Sequence, residues 1–511
     1  MLVHALVVAV LVQEAPAPAG EADRGPLATL ESRVRELTLD NGWRFLLVSL
    51  PGAPVVAFET YAEVGSVHER PGITGMAHMF EHMAFKGSDR IGSLEWPRER
   101  EAIGVVDARH GLLMEARESG DPEEIERAES LLRSAAELAG GFVASEEFSR
   151  LLENAGGTGS LNASTSADET RYVVSLPSNQ IELWCWLEAE RFGRGVLREF
   201  YRERDAVMEE RRMRVESDPF GLLLEHLVLT AFLTHPYRHP TVGYAADIAA
   251  YTRADAQQFF AEHYGARRLV TAIVGDVDPE RLEPMLRRYF AAVPSGPDRA
   301  PIAGSEARQT GERRIEVAFP ANPFVAIAWH VPALAHADSA AVDVAVRLLG
   351  YSRSSRLERR LVREDGSAAQ VLVTGGFPGN RYDGLALVIG IPNAGVATAT
   401  LEAAIDEEIA RLAADGPSDE ELAGVKRVAR AELYGQMRDR VALASLLTEY
   451  EAKTGDWRNA FRRVDELAAV TADDVKRVLG VYFGATNRTV ATLTAPAQAA
   501  PDGQPEGQED R

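Results

Sequence analysis

Three residues in one short stretch have the types and spacing to bind a metal and activate water. In residues 74–87 (TGMAHMFEHMAFKG), His78 and His82 are four apart. On a helix they stack one turn apart on one face and can offer two imidazole nitrogens to one cation. Glu81 lies on the same side, where a carboxylate can take a proton from water held by that cation. Zn²⁺ suits tetrahedral N/O donors, and a hydrolytic site needs three protein ligands and one open position. With 11 His and 77 acidic residues in 511, H-x-x-[DE]-H should arise by chance roughly 0.04 times, so the match is informative.

The third ligand should project from another helix. Residues 200–215 (FYRERDAVMEERRMRV) place Glu203 and Glu210 seven apart, two turns along one face, with Phe200 and Val207 on adjoining positions. One of the two can ligate while the other holds a ligand histidine through its second nitrogen. Taken alone, this helix reads as a solvated, salt-bridged face.

These helices need a scaffold, and the remaining pattern supplies one. Residues 34–39, 45–49 and 55–61 read as strands, 73–85, 181–192, 200–215 and 255–264 as helices, and 269–274 as a buried strand. The Pro/Gly-rich passage 293–311 interrupts the pattern and is the linker candidate. Beyond it come strands at 314–319, 325–330, 385–391 and 489–493 and helices at 338–349, 397–413 and 419–433. The halves therefore read as two copies of one α/β unit, similar in pattern rather than in letters. The expected class is α+β, built from two similar α/β domains at 30–292 and 312–494, only the first with a metal site.

One stretch, about 92–152, departs from that unit. Ile103, Val106, His110 and Leu113 recur at helical spacing, a Ser119-Gly120-Asp121-Pro122 turn follows, and Ile125, Ala128, Leu132, Ala135 and Ala139 recur again. An antiparallel helical hairpin is predicted there, a packing or interface element in which His110 is simply packed.

Composition narrows the chemistry further. The length allows two to four domains, and 46% apolar with 26% charged residues is ordinary globular usage. A net charge of −22 offers no basic field for nucleic acid. The single Cys185, between Trp184 and Trp186, excludes an intrachain disulfide and thiolate clusters and reads as core. His235 and His239, flanking Pro236 in a loop, read as structural. An apolar run at 2–12 followed by small residues reads as a cleaved export signal within 1–29, implying a periplasmic or secreted protein; the alternative is a frayed cytoplasmic N-terminus. No later segment approaches eighteen uninterrupted apolar residues, and 495–511 has a disorder-prone composition.

H-x-x-E-H is the inverted zinc-binding order of the inverzincins. Its surroundings resemble the insulinase/pitrilysin metallopeptidases, in particular the two-domain, processing-peptidase-like branch. The stretches carrying the resemblance are 75–87, 159–166 (GSLNASTS), 183–191, 203–210 (ERDAVMEE), 235–240 (HPYRHP) and 273–279 (IVGDVDP). It implies a zinc endopeptidase whose domains form half of a clam-like chamber that admits peptides and unfolded segments. It assigns His78, His82 and Glu210, rather than Glu209, to the metal, Glu81 to the general base and Glu203 to a supporting role. Asn162 and Ala163 become the edge strand to which a peptide adds. The family's second-half Arg and Tyr are incomplete here: Arg363 is present, Gln370 stands where Tyr is expected, and Arg381-Tyr382 has the wrong spacing. A related zinc-less partner subunit, or else a second copy, would complete the chamber. The competing expectation is a noncatalytic assembly or binding subunit of the same fold.

Overall fold

The computed structural model describes residues 25–298, 300–302 and 304–496. The apolar run at 2–12 and the tail beyond 496 lie outside the described residues. Residues 25–29, expected to be flexible, instead belong to a short helix, α1 (Gly25–Glu31), whose Leu27 is buried against the first sheet.

The first half contains strands β1 (Val34–Thr38), β2 (Arg44–Ser49), β3 (Val55–Ala62), β4 (Asn162–Thr165), β5 (Thr170–Pro177) and β6 (Leu269–Gly275). Its helices are α2 (Met76–Met83), α3 (Trp96–Ser119), α4 (Pro122–Gly140), α5 (Glu147–Leu152), α6 (Ile181–Arg194), α7 (Phe200–Arg211), α8 (Pro219–Ala231), α9 (Ala245–Ala250), α10 (Arg253–His263) and α11 (Pro279–Phe290). The second half has strands β7 (Arg313–Ala318), β8 (Phe324–Val331), β9 (Ala368–Phe377), β10 (Gly384–Pro392) and β11 (Arg488–Thr494). Its helices are α12 (Ser339–Gly350), α13 (Thr398–Asp415), α14 (Asp419–Arg438), α15 (Arg440–Thr454), α16 (Asn459–Ala469) and α17 (Ala472–Tyr482).

The repeat expected from the sequence is visible in strand order. The first sheet runs β1-β2-β6-β3-β5-β4 and the second β7-β11-β8-β10-β9. Apart from the extra β1 the two are superposable in order and direction: β2 pairs parallel with β6 as β7 does with β11, and every other neighbour is antiparallel. Each sheet ends in a strand paired on one side, β4 or β9.

One face of the first sheet carries the metal-helix candidate. Met76, Met79, Phe80 and Met83 of α2 sink into a core with Phe58, Tyr172, Trp184, Phe259 and Tyr264. Cys185 is fully buried in the same core, as expected. The opposite face is covered by a helix from the other half: α15 lies across β3 and β6, with Leu443, Ala444 and Leu447 against Leu46, Tyr61 and Val270. The exchange is mutual. From the first half, α8 packs on β7, β8 and β11 through Leu223, Leu227 and Ala231. Burying each such leucine contributes about 1.5–3 kcal/mol, so each sheet depends on the other half for its second layer.

A buried polar seam joins the halves. Asp168 accepts hydrogen bonds from the Tyr237 hydroxyl (2.6 Å) and from the Asn380 and Arg381 amides (2.9 Å each). The Lys453 ammonium lies 3.2 Å from Glu449, 3.3 Å from Glu169 and 3.5 Å from Asp168. Arg381 pairs with Glu63 at 2.7 Å, and the Tyr382 amide donates to the Tyr237 hydroxyl, so this dipeptide is committed to the seam.

The predicted hairpin is α3 and α4, joined at Gly120, whose left-handed φ of 72° closes α3. His110 is packed as expected, stacked on Tyr201 with ring centroids 4.0 Å apart, and its Nε2 is 2.8 Å from Arg204. Both partners are on α7, so the hairpin props the helix that carries Glu203 and Glu210.

Candidate metal centre and substrate cleft

Helix α2 is shorter than the predicted 73–85 because its start is set by a special backbone. Gly75 has φ 87°, and a Cβ there would meet the Val242 carbonyl oxygen at 2.5 Å. The Glu69 carboxylate caps the first turn, accepting from the Gly75 and Ala77 amides at 2.7 Å each. Asp247 fixes the preceding loop by accepting from the Thr74 hydroxyl at 2.6 Å. This rigid start sets the direction of the next turn, where His78 and His82 stand.

Helix α7 is α-helical to Arg211 and continues as a π-turn, Arg212–Glu216, in place of the predicted helix to 215. It sorts its charges by face. Arg204 and Arg211 are buried, Arg204 against His110 and Arg211 in two 3.0 Å bonds to Glu225. Glu209 points outward to Arg212, while Glu203 and Glu210 turn toward α2.

The two helices bring three donors together. His78 Nε2 is 3.6 Å from Glu210 Oε1, and His82 Nε2 is 3.4 Å from Glu210 Oε2. Among the described residues, His78, His82 and Glu210 are the one group of at least three potential ligands with all ligand atoms within 4.8 Å of one another. These separations are too long for good hydrogen bonds. They match donors sharing a tetrahedral ion, since two ligand atoms about 2.0–2.1 Å from such an ion lie roughly 3.3–3.4 Å apart. His82 Nδ1 faces Glu203 Oε2 at 3.6 Å, while His78 Nδ1 is buried without a hydrogen-bond partner. Two imidazoles, one carboxylate and a supporting carboxylate form a donor set that fits zinc.

The electrostatics favour a cation. The Glu203 and Glu210 carboxylates, outweighing burial, push His82 up to about 9. Burial pushes His78 down to about 4 against the pull of Glu210, leaving a neutral imidazole of the form that ligates. Burial raises Glu203, but His82 and Lys86 outweigh it and hold the carboxyl at about 2. Burial raises Glu81, opposed by the Thr165 hydroxyl, which donates to Glu81 Oε2 at 2.7 Å.

Glu81 and His82 also line a cleft of about 580 Å³, along with Asn162 and Ala163 of β4 and the wall formed by Ser145, Glu146 and Ser149. Strand β4 pairs with β5 in the register Asn162↔Val173, leaving its other edge unpaired among the described residues. An opening of similar volume, about 570 Å³, near Phe80, Trp96 and Arg191 includes none of His78, His82 and Glu210. Arg363 is exposed in a π-turn of the second half, and Gln370 is exposed on β9 opposite Ile391. In the helix pair of that half corresponding to α2 and α7, Arg347 of α12 bonds Asp343 at 2.8 Å and Glu432 of α14 at 2.7 Å, so a guanidinium bridges the acids there. His235 and His239 lie at a short 3-10 turn away from the triad, His235 Nδ1 accepting from the Tyr237 amide.

Sequence reasoning missed Glu69, Thr165 and Lys86, which contact the start of α2, Glu81 and Glu203. An acid six to eight residues before a helix start could have suggested the first as a cap. The other two carry no local signal.

Known proteins agree with this architecture. Residues 44–107 match the insulinase (peptidase family M16) model, and 250–428 match the M16 inactive-domain model. The zinc protease PqqE of Helicobacter pylori is 26% identical over 468 residues, covering 89% of this chain and 92% of that protein. A probable mitochondrial-processing peptidase β subunit of Arabidopsis thaliana is 26% identical over 330 residues, 63% of this chain and 51% of that protein. The crystal structure of a protease from Helicobacter pylori is similar with a TM-score of 0.76 at 25% identity, covering 91% of this chain and 99% of that one. A peptidase M16 inactive-domain structure from Pseudomonas fluorescens gives 0.71 at 18% identity, covering 92% and 99%, a likeness of fold. Both family models matched in chain order, on a doubled sheet with a histidine–glutamate cluster, support a member of the insulinase (M16) peptidase family.

Proposed function

We propose that the chain is a zinc-dependent endopeptidase that cleaves peptides or unfolded segments, with His78, His82 and Glu210 holding the ion. The reading rests on one observation: the ligand atoms of His78, His82 and Glu210 converge, and His82 lines, with Glu81, a cleft bordered by an open strand edge. Bound zinc would supply Lewis acidity, polarising the peptide carbonyl and acidifying water. Glu81 takes the proton of the attacking water and returns it to the leaving amine. Thr165 holds the Glu81 carboxylate in the orientation for both transfers. Asn162 and Ala163 offer backbone groups to an extended peptide, giving affinity with little demand on its sequence. Glu203 orients His82 through Nδ1.

With Arg363 exposed and Gln370 in place of the expected Tyr, the Arg/Tyr pair is incomplete, and a related zinc-less subunit, or failing that a second copy, would provide it. Export to the periplasm or medium is part of this proposal and rests on the apolar run at 2–12. Among the described residues no helix is long and apolar enough to cross a membrane.

Elemental analysis and cleavage of an unstructured peptide test the proposal together. One zinc per chain and hydrolysis lost in Glu81→Gln are expected. Stoichiometric zinc without hydrolysis, even with candidate partners supplied, would favour the assembly-subunit reading.

A further inference from the structure

From the ligand triad to the surface, side chains alternate in charge along one line. Glu210 faces His82 at 3.4 Å, and His82 faces Glu203 at 3.6 Å. Glu203 Oε1 is 2.5 Å from the Lys86 ammonium, Lys86 donates to Glu199 Oε2 at 3.0 Å, and Arg202 donates to Glu199 Oε1 at 3.0 Å. Only the last member is freely exposed, at 80%; the Lys86, Glu199 and Glu203 side chains are 21%, 16% and 18% exposed.

The tightest link is not the one at the histidine. At 3.6 Å, Glu203 is not fixed by His82, so its carboxylate points where Lys86 holds its other oxygen. A lysine alone is a mobile point charge on a flexible stem. Here Glu199 catches it from the other side. Glu199 is one of two non-glycine residues with positive φ among the described residues, at φ 54° and ψ 25°, at the N-terminal boundary of α7. Glycine would occupy that backbone with less strain, so the carboxylate is what the position gains.

Resting on the zinc reading above, we propose that Lys86, held by Glu199, is a positioning residue that fixes the Glu203 carboxylate against His82 and so sets how tightly the chain holds its ion. The Lys86–Glu203 contact is then a metal-affinity determinant rather than a surface ion pair.

Zinc affinity, measured by competition with a chromogenic chelator on the full chain, tests this in a double-mutant cycle, with zinc-free thermal melts as the check on folding. Lys86→Met should weaken zinc roughly 10-fold or more, the range seen when partners of ligand histidines are removed. Lys86→Arg should restore most of it. In a Glu203→Gln background Lys86→Met should weaken zinc no further, because both changes break one link. Glu199→Gly should leave the zinc-free melting temperature unchanged or higher yet still weaken zinc, a split that a merely structural role would not produce. Unchanged affinity in Lys86→Met, or full additivity with Glu203→Gln, would overturn the positioning role while leaving the metallopeptidase reading intact. A wild-type chain that takes up no zinc would overturn both. Should Lys86→Met fail to fold, the Glu199→Gly measurement decides alone.

Discussion

Thr165 and Glu81 are joined across two elements, the strand hydroxyl donating to the helix carboxylate at 2.7 Å, so the proposed base and the edge that would receive substrate share one hydrogen bond. Glu81→Gln should keep fold and zinc but lower peptide hydrolysis by about 10²–10⁴-fold, the usual worth of a general base. Thr165→Val should cost kcat roughly 10- to 100-fold, as expected for loss of a hydrogen bond to a charged group. Steady-state kinetics on an unstructured peptide measure both. An unchanged kcat in Thr165→Val would mean that the carboxylate is oriented without the strand.

Adjacent glutamates on α7 should behave oppositely. Glu210→Gln removes a proposed ligand and should abolish stoichiometric zinc binding. Glu209→Gln breaks only an exposed pair with Arg212 and should leave zinc content and melting temperature unchanged. Metal analysis of the two purified variants separates them, and equal zinc loss in both would contradict the assignment of Glu210.

The seam between the halves should respond to mutation and to acid. The Lys453 side chain is only 5% exposed among Asp168, Glu169 and Glu449, so Lys453→Met should destabilise by about 3–5 kcal/mol, the cost of leaving buried charge unpaired. Burial raises Glu449, but Lys453 and Arg171 outweigh it and hold the carboxyl at about 2. A carboxylate depressed in the folded state adds stability above its unfolded pKa near 4.5 and loses it as pH falls toward 2. Denaturant unfolding at pH 7, 4.5 and 3 should show that acid loss in the wild type and a smaller one in Glu449→Gln.

Gly75→Ala should damage α2 from its first residue. The left-handed φ and the 2.5 Å approach of a new Cβ to the Val242 carbonyl both oppose it, at a cost of order 1–3 kcal/mol for the backbone alone. Thermal melts should show the loss, and a chelator titration should show weaker zinc binding, because the histidines follow from this start.

What the sequence disclosed depended on how local the signal was. His78, Glu81 and His82 share one turn and Glu203 and Glu210 one face, so their grouping could be read from spacing alone. The hairpin was legible because its stripes are regular and its turn is marked by Gly and Pro. Helix α15 was not read: it is buried on several sides as it crosses from one half to the other, with eight buried residues in fifteen, and shows no single apolar stripe. The bounds of α2 were overestimated because Gly75 acts through backbone conformation, which apolar periodicity does not register. Thr165 and Lys86 gain their meaning from partners 84 and 117 positions away, Glu81 and Glu203, that only the fold brings near.

The traded helices α8 and α15 alter what the passage at 293–311 contributes. Each half roofs the sheet of the other, so the peptide connection is not what keeps the halves together. A protease nick in that passage should leave two fragments that co-elute as a noncovalent heterodimer and retain their zinc. Either fragment expressed alone should precipitate, with a sheet face left bare.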